Sequence, residues 1–235
     1  MNQWLRPIKK YGMNYKMSVI GFIGDVHCRF GAMFSTINLS LNVKRWFQVG
    51  DLGAKGEKYP DLPSNFSFIQ GNHEDWDYIQ ELKTKNAHTF LQNGTRHTYL
   101  STEDVYSVIV LGGNYSAANY QKKTKSLCGD RRRHFTEEDF NNAVAASKNL
   151  GTLNEVVILM THEAPTPFIK GGRDIGIPKI NELIKAVKPD IHFYGHHHMF
   201  NLSEVEGVPS VGLEYGHQSY VLYDVLDRKI KRVKV

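Results

Sequence analysis

Short apolar runs that end in polar residues recur along the chain and predict buried β-strands. Five such runs occur, at residues 19–24, 45–49, 66–70, 155–160 and 190–194. Their length is typical of strands and too short for most helices. Each run leads into a cluster that contains Asp, Asn or His. The pattern therefore indicates that polar side chains gather at the ends of strands.

Segments with helical character lie between these runs. Residues 75–82 follow a Gly-Asn turn, and residues 178–187 form an amphipathic stretch. Thr136 is a predicted N-cap followed by three acidic residues, so we expect a helix that begins there and ends near residue 149. A weaker pattern predicts a helix over residues 30–41. Strands that alternate with helices indicate an α/β domain with central sheets.

Further β-rich runs predict that part of the sheet structure is antiparallel. Residues 96–100 and 105–111 read as a strand pair around a polar turn. We expect four more strands near the C-terminus, at residues 199–205, 209–213, 219–225 and 229–235. Residues 114–134 lack apolar periodicity, and an irregular segment of this length inside a compact domain is often functional.

Size and composition fit one domain over residues 17–235, preceded by an N-terminal extension over residues 1–16. The chain has 235 residues, of which 41% are hydrophobic. Its net charge of +5 is compatible with an anionic substrate but is not typical of a dedicated nucleic-acid binder. The two cysteines argue against a disulfide framework and favour the cytoplasm. No stretch of about 18 apolar residues occurs, and the extension lacks an apolar core, so we expect neither a membrane span nor a signal peptide.

The polar clusters contain residue types that bind metal ions. Their members are Asp25, His27, Asp51, Asn72, His73, His162, His196, His197 and His198. Carboxylate and amide oxygens mixed with imidazole suit Mn²⁺, Fe, Co, Ni or Zn²⁺ better than a structural zinc site built from cysteine. Alternate side chains of an extended strand end point the same way, so Asp25 and His27 are expected to reach one ion. The same alternation pairs His196 with His198 and turns His197 elsewhere.

These motifs resemble, in order and approximate spacing, the five sequence blocks of the calcineurin-like metallophosphoesterases. The blocks are Asp-x-His at residue 25, Gly-Asp at residue 50, Gly-Asn-His-Glu at residue 71, Thr-His at residue 161 and Gly-His-x-His at residue 195. The small bacterial and phage-type members fit best. The resemblance covers residues 19–198. It implies a four-layer α/β fold, in which two mixed β-sheets form a sandwich flanked by α-helices.

The resemblance also implies two divalent transition metal ions, with manganese as the first candidate and iron, zinc, cobalt or nickel as the others. It assigns one ion to Asp25, His27, Asp51 and His198. It assigns the second ion to Asp51, Asn72, His162 and His196, so that Asp51 bridges the two. His73 is implied to be catalytic rather than a ligand, because it would orient the phosphate or protonate the leaving oxygen. The implied reaction is hydrolysis of a phosphomono- or phosphodiester, a nucleotide or nucleic acid included, by a hydroxide that bridges the metals.

Two alternatives stay open at this point. Ser/Thr protein phosphatases share Gly-Asn-His-Glu, but their second block continues with Asp-Arg-Gly where this chain has Ala54, Lys55 and Gly56. Lysine does not reproduce the planar, two-pronged contact of arginine, which makes that branch doubtful. The other alternative is a non-catalytic metal-binding scaffold of the same fold, which is expected to lack ligands or the histidine at position 73.

Substrate-binding candidates come from the irregular segment and from a glycine-rich turn. Arg131, Arg132 and Arg133 are predicted to clamp a phosphate-rich substrate, and a solvated charged face is an equal alternative. Arg173 follows Gly171 and Gly172, which allow either a mobile loop or a close approach of the backbone to a ligand. For Arg173 itself, a phosphate contact and a surface position are equal alternatives.

Two acidic residues and one histidine complete the candidates. Glu74 and Asp75 are expected to orient an imidazole, with helix capping by Asp75 as the alternative. His217 is a candidate for the rim of the site.

Overall fold

The computed structural model describes residues 18–40, 42–85, 87–101, 104–148 and 155–235. The predicted extension over residues 1–16, and the predicted start of the domain at Met17, lie outside the described residues. No helix in the described part of the chain combines the length and the apolar character that crossing a bilayer requires.

Thirteen strands and five α-helices lie within these residues. In chain order the strands are β1 (Val19–Ile23), β2 (Arg45–Gln48), β3 (Phe66–Phe68), β4 (Arg96–Leu100), β5 (Val105–Leu111), β6 (Val156–Thr161), β7 (Ile169–Lys170), β8 (Arg173–Asp174), β9 (Ile191–Tyr194), β10 (Asn201–Val205), β11 (Val208–Gly212), β12 (Ser219–Asp224) and β13 (Lys229–Lys234). The helices are α1 (Phe30–Leu39), α2 (Trp76–Thr84), α3 (Ala117–Tyr120), α4 (Glu137–Ser147) and α5 (Pro178–Val187).

The strands form two large mixed sheets and one small hairpin. The first sheet has the order β13-β12-β1-β2-β3, with β1, β2 and β3 parallel and the other pairs antiparallel. The second has the order β10-β11-β9-β6-β5-β4, with four parallel central strands between two antiparallel edge pairs. This arrangement confirms the predicted mixture of parallel and antiparallel pairing.

The two sheets pack face to face, and helices cover their outer faces. Phe22 of β1 stacks on Phe193 of β9 with the ring centroids 3.6 Å apart, and both side chains are completely buried. Helices α1 and α2 bury Ile37 and Ile79 against the outer face of the first sheet, whereas α5 buries Ile184 against the second. The result is the expected four-layer α/β sandwich.

Local capping explains where two of the helices begin. Asp75 accepts hydrogen bonds from the backbone N–H groups of Asp77 and Tyr78 at the start of α2, so the capping alternative for Asp75 is confirmed. Thr136 and Asp139 form a reciprocal capping box at the start of α4. Such caps satisfy backbone donors that the first helical turn leaves without partners.

The predicted strand at residues 66–70 is shorter in the structure, since β3 ends at Phe68. The predicted strand at 199–205 begins only at Asn201. Gly171 and Gly172 form the turn of the β7–β8 hairpin, and their φ values of 57° and 76° suit a tight two-residue turn. The Gly-Gly pair was the sequence signal for this turn.

The topology places the polar clusters together. Strands β1, β2 and β3 run parallel in one sheet, and β6 and β9 run parallel in the other. The carboxyl ends of parallel strands meet at one edge of a sheet, where ligands bind in open α/β sheets. Loops from both sheets therefore converge on one site.

Candidate metal centre

The candidate ligands stand on loops that follow strand ends, and several have an unusual backbone. The φ angles of His27, Asp51, His196 and His198 are 45°, 59°, 69° and 56°. A left-handed conformation costs a non-glycine residue roughly 1–2 kcal/mol, and such residues concentrate at functional sites. The expectation that Asp25 and His27 align through the alternation of an extended strand is therefore wrong in its geometry, although the two side chains do converge.

The first cluster joins the loop after β1 to the loop after β9. Asp25, His27 and His198 each offer a ligand atom, and these three atoms lie within 4.8 Å of one another. Nε2 of His198 lies 2.9 Å from Oδ2 of Asp25 and 3.2 Å from Nε2 of His27. Asp25 is completely buried, whereas both imidazoles are partly accessible.

The second cluster joins the loops after β2, β3, β6 and β9. The ligand atoms of Asp51, His162 and His196 also lie within 4.8 Å of one another. Nε2 of His162 is 2.8 Å from Oδ1 of Asn72, and its Nδ1 is 2.9 Å from the carbonyl of Val49. When Nδ1 donates to that carbonyl, the neutral ring turns the lone pair of Nε2 towards the cluster.

Asp51 lies between the clusters and faces both. Its Oδ2 is 3.7 Å from Nε2 of His27, and its Oδ1 is 3.5 Å from Nε2 of His162. The backbone N–H groups of Asn72 and His73 each donate to Oδ1 at 2.7 Å. Burial opposes the charge of Asp51, but His162, the N–H of His73 and the ring of His27 together hold the pKa of this carboxyl below its ordinary value.

The donor set fits divalent transition metal ions. Oδ2 of Asp25 is buried and accepts no well-aligned hydrogen bond from the described residues, although Nε2 of His198 is close to it. Burial lowers the pKa of His196 to about 3 and that of His27 below its ordinary value, so both rings are neutral at pH 7. Convergent carboxylate, amide and neutral imidazole groups are the ligands that such ions take.

Glycines allow the ligand loops to approach each other closely. A Cβ on Gly71 would collide with the backbone nitrogen and the carboxylate of Asp51. A Cβ on Gly195 would collide with Oδ1 of Asp25, which also accepts a hydrogen bond from the N–H of His196 at 3.1 Å. Both positions therefore require glycine because a ligand side chain occupies the space of a Cβ.

His73 stands beside the clusters with an exposed ring. Its centroid is 5.6 Å from that of His27, and its backbone N–H is held by Asp51. The ring lines a cavity of about 170 Å³, which we call the His73 cavity. The other lining residues are Ala54, Lys55, Asn72, Glu74, Trp76, Asp130 and Arg133.

Glu74 supports the loops rather than an imidazole. Its Oε1 accepts from the N–H groups of Leu52 and Gly71, and its Oε2 accepts from the N–H of Gly53 and the hydroxyl of Tyr59. Burial, and to a lesser degree the charge of Asp51, raise the pKa of Glu74 to about 7. The expectation that Glu74 orients an imidazole is therefore replaced by a role in joining the Asp51 and Gly71 loops.

The four candidate arginines occupy different surroundings. Arg133 lines the His73 cavity, whereas Arg132 donates to the carbonyl of Trp76 at 2.9 Å and to Oδ1 of Asp77 at 2.8 Å. Arg131 is exposed on the same turn, and Arg173 is exposed on β8 of the hairpin. Only Arg133 of the four lies beside His73 in a common cavity within the described residues.

The three consecutive histidines have separate environments. His198 belongs to the first cluster and His196 to the second. His197 belongs to neither and stacks on Phe168 with a centroid distance of 4.7 Å. A ligand atom of His197 instead lies within 4.8 Å of ligand atoms of Glu163 and His196. Within this group, Oε2 of Glu163 is 3.8 Å from Nε2 of His196.

The segment after β11 adds an aromatic wall that no sequence motif indicated. Tyr215 stacks on His198 with a centroid distance of 3.9 Å, and its ring also faces that of His27 at 5.8 Å. His217 lies beside Tyr215 and pairs with Nη1 of Arg29 at 2.9 Å, so His217 does reach the neighbourhood of the first cluster. The sequence signal for Tyr215 was limited to its position after another apolar run.

Comparison with known proteins identifies a family over the region of the chain that contains both clusters. The family model described as calcineurin-like phosphoesterase matches residues 18–200. No curated protein matches the chain.

Solved structures with the same architecture cover almost the whole chain. The protein TT1561 of Thermus thermophilus is 17% identical with a TM-score of 0.64, and the alignment covers 93% of this chain and 99% of that one. A novel archaeal phosphodiesterase is 12% identical with a TM-score of 0.51, over 92% of this chain and 99% of that one. A novel phosphatase from Mycoplasma pneumoniae is 10% identical with a TM-score of 0.53, over 93% and 94%. At these identities the structures establish a common fold.

Proposed function

Because this chain belongs to the calcineurin-like phosphoesterase family, we propose that it hydrolyses phosphomono- or phosphodiesters with two divalent metal ions. The observation that carries the proposal is the position of Asp51, whose Oδ2 is turned to His27 and whose Oδ1 is turned to His162. A carboxylate that faces two clusters of nitrogen and oxygen ligands is suited to bridge two cations.

Each of the two ions would have its own set of ligands, and the carboxylate of Asp51 belongs to both sets. The first ion takes Asp25, His27, Asp51 and His198. The second ion takes Asp51, Asn72, His162 and His196. Bound ions supply Lewis acidity, which lowers the pKa of water from about 15.7 towards 7 and neutralises charge on the phosphoryl oxygens. Mn²⁺ is our first candidate because carboxylate and amide oxygens accompany the imidazoles.

His73 is our candidate for the group that protonates the leaving oxygen. Its ring is exposed beside the clusters. The hydrogen bond from the backbone N–H of His73 to Asp51 fixes the position of His73 relative to the clusters. Histidine is the side chain that most often serves as a general acid in enzymes. Arg133 in the same cavity is suited to bind the non-bridging oxygens of the phosphate through its planar guanidinium.

The two alternative functions have less support. Lys55 stands where protein phosphatases of this fold have arginine, and its ammonium lies 3.7 Å from Asp130 rather than forming a two-pronged contact. A non-catalytic scaffold is not favoured, since every implied ligand and His73 are present and lie in the two clusters or beside them.

A screen of metals against substrates tests the proposal. The purified protein, loaded in turn with Mn²⁺, Fe²⁺, Zn²⁺, Co²⁺ and Ni²⁺, is assayed with an aryl monoester, an aryl diester, a cyclic nucleotide and a short oligonucleotide. We expect at least one ester to be hydrolysed and chelation to stop the reaction.

The variant Asp51→Asn should lose activity and hold fewer than two metal ions per chain, whereas Asp61→Asn, at an exposed loop position, should behave as the wild type. Full metal content and full turnover in Asp51→Asn would contradict the proposal.

A further inference from the structure

A second cavity, of about 350 Å³, lies next to the His73 cavity and shares no catalytic candidate with it. The adjacent residues Arg132 and Arg133 line the second and the first cavity, respectively. We call it the Lys83 cavity. Its polar lining includes Gln70, Gln80, Lys83, Gln92, Asn93 and Lys125. The volume exceeds by far what a single water molecule needs, so the cavity can hold a small solute.

Within the described residues, the ammonium of Lys83 forms no salt bridge. It donates to Oε1 of Gln70 at 3.2 Å, and it lies 5.7 Å from the centroid of the Phe90 ring. Burial lowers the pKa of Lys83 below its ordinary value, so burial outweighs the more distant attraction of Asp139. A partly buried ammonium is costly unless it is paired.

The two acidic residues of the cavity are engaged elsewhere. Oδ2 of Asp139 accepts hydrogen bonds from the N–H and the hydroxyl of Thr136, both at 2.9 Å. Oε2 of Glu138 accepts from the N–H of Thr124 at 3.1 Å. Within the described residues, the hydrogen bond of the Lys83 ammonium goes to Gln70 and not to either of these carboxylates.

We propose that the Lys83 cavity binds a small oxyanion, either phosphate or a carboxylate, against the ammonium of Lys83. An ammonium has three N–H donors, and Gln70 uses one of them. The carboxamide groups of Gln80 and Gln92 in the lining are neutral donors that suit the other oxygens of an anion. Lys125 adds a second positive charge.

Gln70 connects this cavity to the proposed catalytic loop. Its Nε2 donates to the carbonyl of Arg132 at 3.3 Å, and its own carbonyl accepts from the N–H of Gly113 at 2.7 Å. Gln70 directly precedes Gly71, Asn72 and His73 in the chain. An anion bound by Lys83 would therefore lie beside a side chain that contacts the turn carrying Arg133.

Calorimetric titration with inorganic phosphate, and separately with succinate, tests the site. The titrations use the full chain carrying Asp51→Asn after treatment with a chelator, because phosphate would also bind ions held at the proposed metal centre. In this background we expect one saturable anion site. Lys83→Met and Lys83→Gln should weaken its affinity by at least about tenfold, the effect of losing a charge-assisted hydrogen bond.

Lys85→Met is the matched control, because Lys85 lies one residue beyond the end of the same helix but pairs with Glu81 outside the cavity. It should leave the affinity within about twofold of the background. Binding of one anion alone identifies the source as phosphate or carboxylate. If neither phosphate nor succinate binds, or if the Lys83 variants bind them as tightly as the Asp51→Asn background does, the proposal is wrong. Neither result bears on the proposed catalysis.

Discussion

At the scale of single residues, the site combines side-chain chemistry with costly backbone conformations. His27, Asp51, His196 and His198 all adopt left-handed φ angles, and hydrogen bonds hold them there. The N–H of His27, for example, donates to the carbonyl of Asp51 at 2.9 Å. Residue types in the sequence predicted which side chains the structure brings together in the two clusters. The backbone conformations could not be predicted, because they depend on hydrogen bonds between loops that are distant in the chain.

Replacing His73 by alanine separates catalysis from metal binding. Since the ring of His73 belongs to neither cluster, the variant should keep its metal content. Loss of the proton donor should lower kcat by roughly 10²–10⁴-fold. The effect should be smaller for substrates with a phenolate-like leaving group of low pKa, which departs without a proton. Metal analysis and kcat measured over a series of aryl esters check this, and loss of metal would assign His73 to the ligands instead.

At the scale of elements, the irregular segment is built from short turns whose residues have distinct tasks. The chain makes 3₁₀ turns at Thr124–Ser126 and Gly129–Arg133, the second of which carries all three arginines. Arg132 attaches this turn to α2, and Arg133 lies in the His73 cavity. The sequence predicted the cationic cluster but not this division, which follows from which side of the turn packs against α2.

The variant Arg133→Met tests whether Arg133 of the second turn binds the phosphate of the substrate. The structure favours Arg133 over its neighbours as a phosphate contact, and a charge-assisted hydrogen bond contributes about 1.5–3 kcal/mol, so KM should rise by roughly tenfold or more. Arg131→Met removes the same charge from an exposed position of the same turn and should leave KM nearly unchanged. Equal effects of the two variants on KM would mean that only the net charge of the turn matters.

Regular elements were easier to predict than the hairpin and the aromatic wall. Helix α5 and strands β4 and β5 have the predicted bounds, because apolar periodicity and local turn residues define them. The stacking of Tyr215 on His198 depends on β11 lying beside β9 in the sheet, which no local pattern encodes.

At the scale of the whole molecule, a polar side chain buried inside the second sheet makes the stability of the fold depend on pH. His192 is completely buried between β6 and β11, and its Nε2 lies 2.8 Å from the hydroxyl oxygen of Thr161. That hydroxyl donates to the carbonyl of Glu163 at 2.7 Å, so His192 must donate to it. This chain of hydrogen bonds reaches the residue that follows His162. Burial lowers the pKa of His192 to about 3.

The low pKa of His192 predicts acid sensitivity of the fold. An unfolded histidine has a pKa near 6.5, so between about pH 6.5 and 3 the unfolded chain binds a proton that the folded protein rejects. The stability contributed by neutral His192 is complete above about pH 6.5 and falls as the pH is lowered. Between pH 7 and 5 the loss amounts to about 2 kcal/mol.

Denaturant titrations at pH 7 and pH 5 measure this loss. His192→Gln should show a smaller decrease in the free energy of unfolding than the wild type, because glutamine does not titrate. His88→Gln, at an exposed loop position, should retain the full decrease. An unchanged decrease in His192→Gln would assign the acid sensitivity to other groups.

The division of the candidate ligands between the two sheets bears on how the protein would resist a force that separates the sheets. Asp25, Asp51 and Asn72 come from loops of the first sheet, whereas His162, His196 and His198 come from the second. Ions held by both sets, as we propose, would join the two sheets across the open edge of the sandwich. Pulling the two sheets apart at that edge would load coordination bonds, whereas pulling at the opposite edge would load ion pairs such as Lys44–Asp104 and Arg228–Asp190. The loaded protein should therefore resist force in one direction much more than in the other.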